Sequence, residues 1–141
     1  MPLIVLLVLG GCSKEEGNNN PVVPAPTPTT GTIAGKITLP PGAGGSIENI
    51  RVTIYQNVVD WNWDRAITTS ATDASGNYAL NNLTPGTYYL DAWKDNYNNQ
   101  VIDAGDYYGV YGSGTYPYYQ LNPCQCSAGN TTTLNFIIYP L

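Results

Sequence analysis

Between residues 95 and 106 the chain reads Asp-Asn-Tyr-Asn-Asn-Gln-Val-Ile-Asp-Ala-Gly-Asp, the densest run of side-chain oxygens in the sequence. Asp95, Asn99, Asp103 and Asp106 offer carboxylate and amide oxygens of the kind that calcium gathers six to eight at a time. The same residues also cap turns by bonding to their own backbone, so the segment is either a calcium loop of structural role or a plain polar loop. A second group is aromatic. Trp61 and Trp63 alternate with Asp60, Asn62 and Asp64, and Tyr107, Tyr108, Tyr111, Tyr116, Tyr118 and Tyr119 crowd the stretch after the acidic loop. Exposed, such rings stack on sugars or pack against another protein; on a strand they fill cores and cross-strand pairs. Trp61, Trp63, Tyr107 and Tyr108 are the candidates for ligand contact.

The third group is Cys124-Gln125-Cys126. A bridge across one residue closes a small, strained ring, so a local Cys124–Cys126 disulfide, pairing with another chain and free thiols all remain open. Zinc lacks ligands, because the sequence has no histidine and its other cysteine, Cys12, lies far upstream. The missing histidine also removes the commonest general base and every Ser-His or Cys-His nucleophile. Asp103 and Asp106 are the pair a glycosidase reading would use. A chain this small without His reads as no enzyme. Ten Asp and Glu against five Lys and Arg leave no basic stripe for a phosphate backbone, which excludes nucleic acid as a partner.

These groups need positioning by strands. From Thr32 onward the apolar pattern has period two, broken by Gly, Pro, Asn and Asp, and no helical stripe occurs. Strands are expected at 32–39, 50–56, 66–72, 77–80, 87–93, 116–121 and 132–139, about seven in all. In the second, Ile50, Val52 and Ile54 take one face while Arg51, Thr53 and Tyr55 take the other. Trp93 is expected in the core. Asp73 and Gly76 mark a hairpin turn, and Pro85-Gly86 sits where a type II turn places those residues. The prediction is one all-β domain, a single antiparallel β-sandwich over residues 32–141.

Three stretches carry a resemblance: Gly31-x-Ile33-x-Gly35-x-Ile37; Ile50-x-Val52-x-Ile54; and Thr72-Asp73-x-x-Gly76-x-Tyr78-x-Leu80-x-x-Leu83-x-Pro85-Gly86-x-Tyr88. Together they resemble the carboxypeptidase regulatory-like domain, a prealbumin-like (transthyretin-like) sandwich, with collagen-adhesin B type sandwiches sharing the pattern. The resemblance implies an accessory module of surface proteins, enzymes or transport receptors, with no catalytic residues to carry over. The 95–106 segment is similar to Asp-x-Asn-x-Asn-Gly loops of EF-hand type. It departs from them at Tyr97 and Gln100, and no bidentate Glu closes it.

Upstream, residues 1–11 contain an apolar run too short to span a bilayer and right for a lipoprotein signal peptide. Leu9-Gly10-Gly11-Cys12 resembles the lipobox of bacterial lipoproteins, which makes Cys12 the lipidation site. No Lys or Arg precedes the run, which fits a start lying further upstream. Ser13 followed by Lys14-Glu15-Glu16 is similar to outer-membrane sorting and surface-export signals, or is a solvated charge run. Residues 12–31 form the lipidated N-terminus and a Pro/Thr-rich tether. The expectation is a non-catalytic lipoprotein anchored in the bacterial outer membrane at the cell surface, binding a glycan or protein partner. The alternatives are a structural or assembly protein, such as an adhesin or filament subunit, and an accessory component of an envelope uptake system. In the assembly reading, the Tyr-rich stretch and the last strand, 132–139, complete a neighbour's sheet.

Overall fold

The computed structural model describes residue 17 and residues 20–141; the signal peptide and Cys12 lie outside them. Residues 20–30 are exposed and lack regular structure. From there the chain runs β1 (Gly31–Thr38), β2 (Arg51–Tyr55), α1 (Val58–Asn62), β3 (Thr68–Ala71), β4 (Asn77–Leu83), β5 (Gly86–Lys94) and β6 (Tyr107–Val110). It continues through β7 (Gly112–Thr115), β8 (Tyr118–Leu121), β9 (Cys124–Cys126), β10 (Thr131–Thr133), β11 (Phe136–Ile137) and β12 (Tyr139–Pro140).

The expected all-β sandwich is present. In the smaller sheet β1 lies between antiparallel β4 and the parallel pair β10 and β11. In the larger sheet the order is β12-β6-β5-β2-β3, with β9 also on β5. Ile33, Ile37, Leu80, Val52, Ile54, Leu90 and Ala92 close the space between the sheets, as period-two alternation requires.

Four expectations need correction. Segment 132–139 is not one strand: β10 and β11 pair with β1 along the edge of the smaller sheet, and β12 crosses to pair with β6 at the edge of the larger one. It switches sheets because the ladder breaks at Asn135, whose side-chain oxygen replaces a backbone carbonyl and accepts from Lys36 N at 2.8 Å. The 66–80 turn forms as read: Asp73 Oδ1 accepts from Ser75 N and Asn77 N, and Gly76 has φ +83°. Its flanking strands, however, enter different sheets, β3 on β2 and β4 on β1, so it is a corner rather than a hairpin. Gly86 is not among the positive-φ residues and begins β5, so no type II turn forms there. Finally, a short helix, α1, occupies the connection that carries Trp61. Asn57 caps it by accepting from Asp60 N at 2.8 Å.

Gly35, read as part of the β1 motif, has a steric reason. A Cβ there would overlap the Leu134 carbonyl, which lies against β1 and accepts from the Tyr78 hydroxyl at 2.8 Å.

Candidate functional site: a buried carboxylate under aromatic cover

Both faces of the larger sheet are covered. Tyr55 and Thr53, assigned by alternation to the open face of β2, are buried at 2% and 1% exposure. Trp93 is buried too, but not between the sheets: it joins Tyr108 and Val110 in a second cluster on the outer face, with Trp61, Tyr119, Leu121 and Leu141 packed on it. Helix α1 and the β7–β8 hairpin supply this cover.

Asp91 sits within that cover at 5% exposure, on the outward side of β5. Its Oδ2 accepts from Tyr108 Oη at 2.7 Å, and Tyr55 Oη and Trp61 Nε1 each stand 3.1 Å away. The single Tyr55 proton is shared with Asp64 Oδ1, 3.2 Å off, and the indole N–H with Tyr108 Oη, 3.0 Å off. Burial pushes the Asp91 carboxyl up to about 6, against the pull of its three donors and the nearby Arg51. Burial and the Asp91 charge raise both tyrosines well above the usual phenol range, so at neutral pH they stay protonated donors.

Arg51, Tyr55, Trp61, Asn62, Asp64, Asp91, Ile102 and Tyr108 line an open cleft of about 260 Å³. Of the four expected ligand contacts, Trp61 and Tyr108 come together here. Trp63 stands 70% exposed past the end of α1. Tyr107 faces the opposite way, against the inter-sheet core, with Lys94 Nζ 5.4 Å from its ring centre. Sequence reasoning missed Asp91, Tyr55, Arg51 and Asp64. The available signal was a carboxylate flanked at two-residue spacing by Tyr89 and Trp93, in a strand apolar on both faces.

The candidate calcium ligands do not converge. Asp106 is fully buried and turned inward: its Oδ2 accepts from Trp93 Nε1 at 2.9 Å and its Oδ1 from Asn96 N at 2.8 Å. Asp95 caps the backbone of Asn99 and Gln100, and Asn99 donates to Asp103. Those backbone donors outweigh the effect of desolvation and hold Asp95 below the usual carboxylate range. Among the described residues no group of three His, Cys, Asp or Glu side chains stands ready for a metal. Asp106 is sealed from any substrate, so the Asp103–Asp106 pair does not form an acid–base site.

Cys124 and Cys126 are both free and buried, which corrects the local bridge. Pairing with β5 keeps β9 extended, and strand geometry then spreads positions i and i+2 by roughly 6.6 Å, the far limit for a disulfide. Burial pushes the Cys124 thiol up to about 11, and it donates to Tyr88 O at 3.3 Å.

The match that decides the family spans residues 32–138, against the carboxypeptidase regulatory-like domain. This chain belongs to that family. Two solved structures are similar to this member at low identity. One is the Bacillus anthracis TIE protein, at 13% identity and TM-score 0.48, covering 80% of this chain and 17% of that one. The other is GBS52, the minor pilin of Streptococcus agalactiae, at 14% and 0.46, covering 82% and 46%. The chain thus spans less than half the length of either. No curated protein sequence matches it.

Proposed function

We propose that this member of the family is a non-catalytic structural module of the bacterial cell surface. It is held to the outer membrane by lipid on Cys12, lifted off by the tether, and built to carry load as an adhesin or filament subunit. One observation supports the load-bearing part. The strand that the tether feeds, β1, is interior to its sheet and runs parallel to β10 and β11. Besides the ladder bonds of β10 and β11, Thr32 N bonds to Asn130 O, Leu134 N to Ala34 O, Lys36 N to Asn135 Oδ1, and Ile138 N to Thr38 O. Tension between the tether and the C-terminal end lies along these strands, so the bonds are sheared together. On the other side, Gly31 lies opposite Leu83 in an antiparallel ladder, so tension between those positions opens bonds one at a time.

Single-molecule pulling separates the two directions. With the full chain held at Ala25 and Leu141, rupture is expected at several-fold higher force than when held at Ala25 and Thr84. Equal forces in both geometries would end the load-bearing reading. Anchoring is tested separately: labelled fatty acid enters the chain in bacterial cells and is lost in Cys12→Ser.

A further inference from the structure

Three observations single out the cleft above Asp91 as more than a by-product of packing. The first is an imbalance on one carboxylate. All of its hydrogen bonds fall on Oδ2, while Oδ1, on a residue that lines the cleft, takes none. Oδ1 is not among the buried oxygens left without a partner, so it opens to the cleft, where a ligand hydroxyl can take the place of water. Across the ladder from Asp91, the buried Thr53 hydroxyl also lacks a partner among the described residues.

The second is the composition of the rim. Asp64 adds a further acceptor, Asn62 both an acceptor and donors, and Arg51 a fork of donors. The Arg51 guanidinium carbon lies 4.6 Å from the centre of the Trp93 ring, which fixes the donors in place. Trp61 and Ile102 give apolar wall. Two carboxylates disfavour an anion, and a guanidinium among them disfavours a small cation. A neutral ligand dense in hydroxyls satisfies both signs of partner while its ring C–H groups meet the indole.

The third is size. At about 260 Å³ the cleft falls just under the range of roughly 300–1,000 Å³ that holds drug-sized ligands, so it admits one ring rather than several.

We propose that the Arg51–Asn62–Asp64–Asp91 cleft is a binding site for one neutral hexose unit at the end of a glycan, held by hydroxyl bonds to Asp91 Oδ1 and the rim and by contact with Trp61. This site is separate from the load path through β1 and stands or falls independently of it.

The test uses the full chain on an array of oligosaccharides ending in neutral hexoses, amino sugars or uronic acids, followed by calorimetric titration with the best-retained sugar. Retention on neutral hexose ends is expected, weakened at least tenfold by Asn62→Ala and by Asp64→Asn. Tyr118→Ser, at an exposed residue that does not line the cleft, is expected to bind as the unchanged chain does. Asn62 and Asp64 are exposed, so their variants keep the fold even where Asp91→Asn does not. No retention on neutral ends, stronger retention on charged ends, or binding indifferent to both rim variants would each overturn the proposal.

Discussion

On one side of β5, Tyr88, Leu90 and Ala92 meet the smaller sheet in a layer of hydrocarbon. On the other, Asp91 and Trp93 lie under α1 and the β7–β8 hairpin, where three donors converge on a single carboxylate oxygen and Trp93 donates to a buried aspartate. Burial between the sheets is non-directional, and its contribution scales with area, so that layer is held by volume and shape. The outer layer is held by direction. Its polar hub stabilises only while every partner is in place, because a low-dielectric site strengthens each bond and penalises each orphan. The two layers should fail differently when one side chain changes.

The harshest way to break the inner layer acts on backbone. Gly35→Ala places a Cβ on the Leu134 carbonyl, forcing β1 from β10 and β11 and taking the Tyr78 bond with it. A loss of about 4 kcal/mol or more, or failure to fold, is expected in chemical denaturation, at the top of the range for single changes. Leu90→Ala, which leaves backbone alone, should cost about 3 kcal/mol through lost burial and the cavity left behind.

The outer layer gives a sharper contrast. Asp91→Ala strands the Tyr108 hydroxyl and leaves Tyr55 and Trp61 only Asp64 Oδ1 and Tyr108 Oη as acceptors, and should cost about 2–3 kcal/mol, comparable to Leu90→Ala. Asp91→Asn removes the charge but keeps an acceptor, so at pH 7 it should leave stability within about 1 kcal/mol of the parent. No swap that preserves volume at Leu90 has a comparable split. If Asp91→Ala and Asp91→Asn prove equally costly, the hub is held by charge and not by hydrogen bonding.

That contrast also explains what could be read from residues alone. The inner layer was legible: alternation in β2 put Ile50, Val52 and Ile54 on the inner face, the β1 motif carried Ile33 and Ile37, and Gly35 and Gly76 stood where sterics and a positive φ require them. The outer layer was not. Period two says which residues share a face, but not whether a second cover lies over that face, so Thr53 and Tyr55 read as solvent-facing. The cover comes from a five-residue helix, too short to show a period, and from a hairpin read as one strand. The sheet switch at 134–139 was hidden because Asn135 continues the ladder with a side chain, which alternation cannot register.

Acidity sharpens the comparison further. Because burial raises Asp91 from the usual value of 3.8 to about 6, the folded chain holds its proton more tightly than the unfolded chain. Its contribution is full below pH 3.8 and is lost as pH rises through about 6. Between pH 7 and pH 5 the chain should gain about 1.4 kcal/mol, seen as a higher melting temperature at the lower pH. Asp73 and Asp95 are shifted down, so their stabilisation is lost only below the ordinary carboxylate range, outside this window. Asp91→Asn should flatten the rise, and a melting temperature that falls from pH 7 to pH 5 would contradict the buried-carboxylate account.

The smallest effect expected comes from calcium. The acidic loop belongs to the outer layer through Asp106, whose oxygens already meet Trp93, Asn96 and the Asp103 amide. Asp95 is occupied with backbone donors, and Asp103 Oδ1 is the one buried oxygen of the loop without a partner. A cation that needs six to eight oxygens would have to pull Asp106 off Trp93, trading bonds that order the cover for bonds to metal. Melting in millimolar calcium and in chelator should therefore agree within about a degree, since tight binding to the folded state alone would raise it by several. Asp106→Asn, by contrast, should lower melting equally in both conditions, because it weakens the charge-assisted bond from Trp93. A melting temperature that rises with calcium in the parent but not in Asp106→Asn would instead make the loop a metal site, with Asp106 drawn from the layer it now anchors.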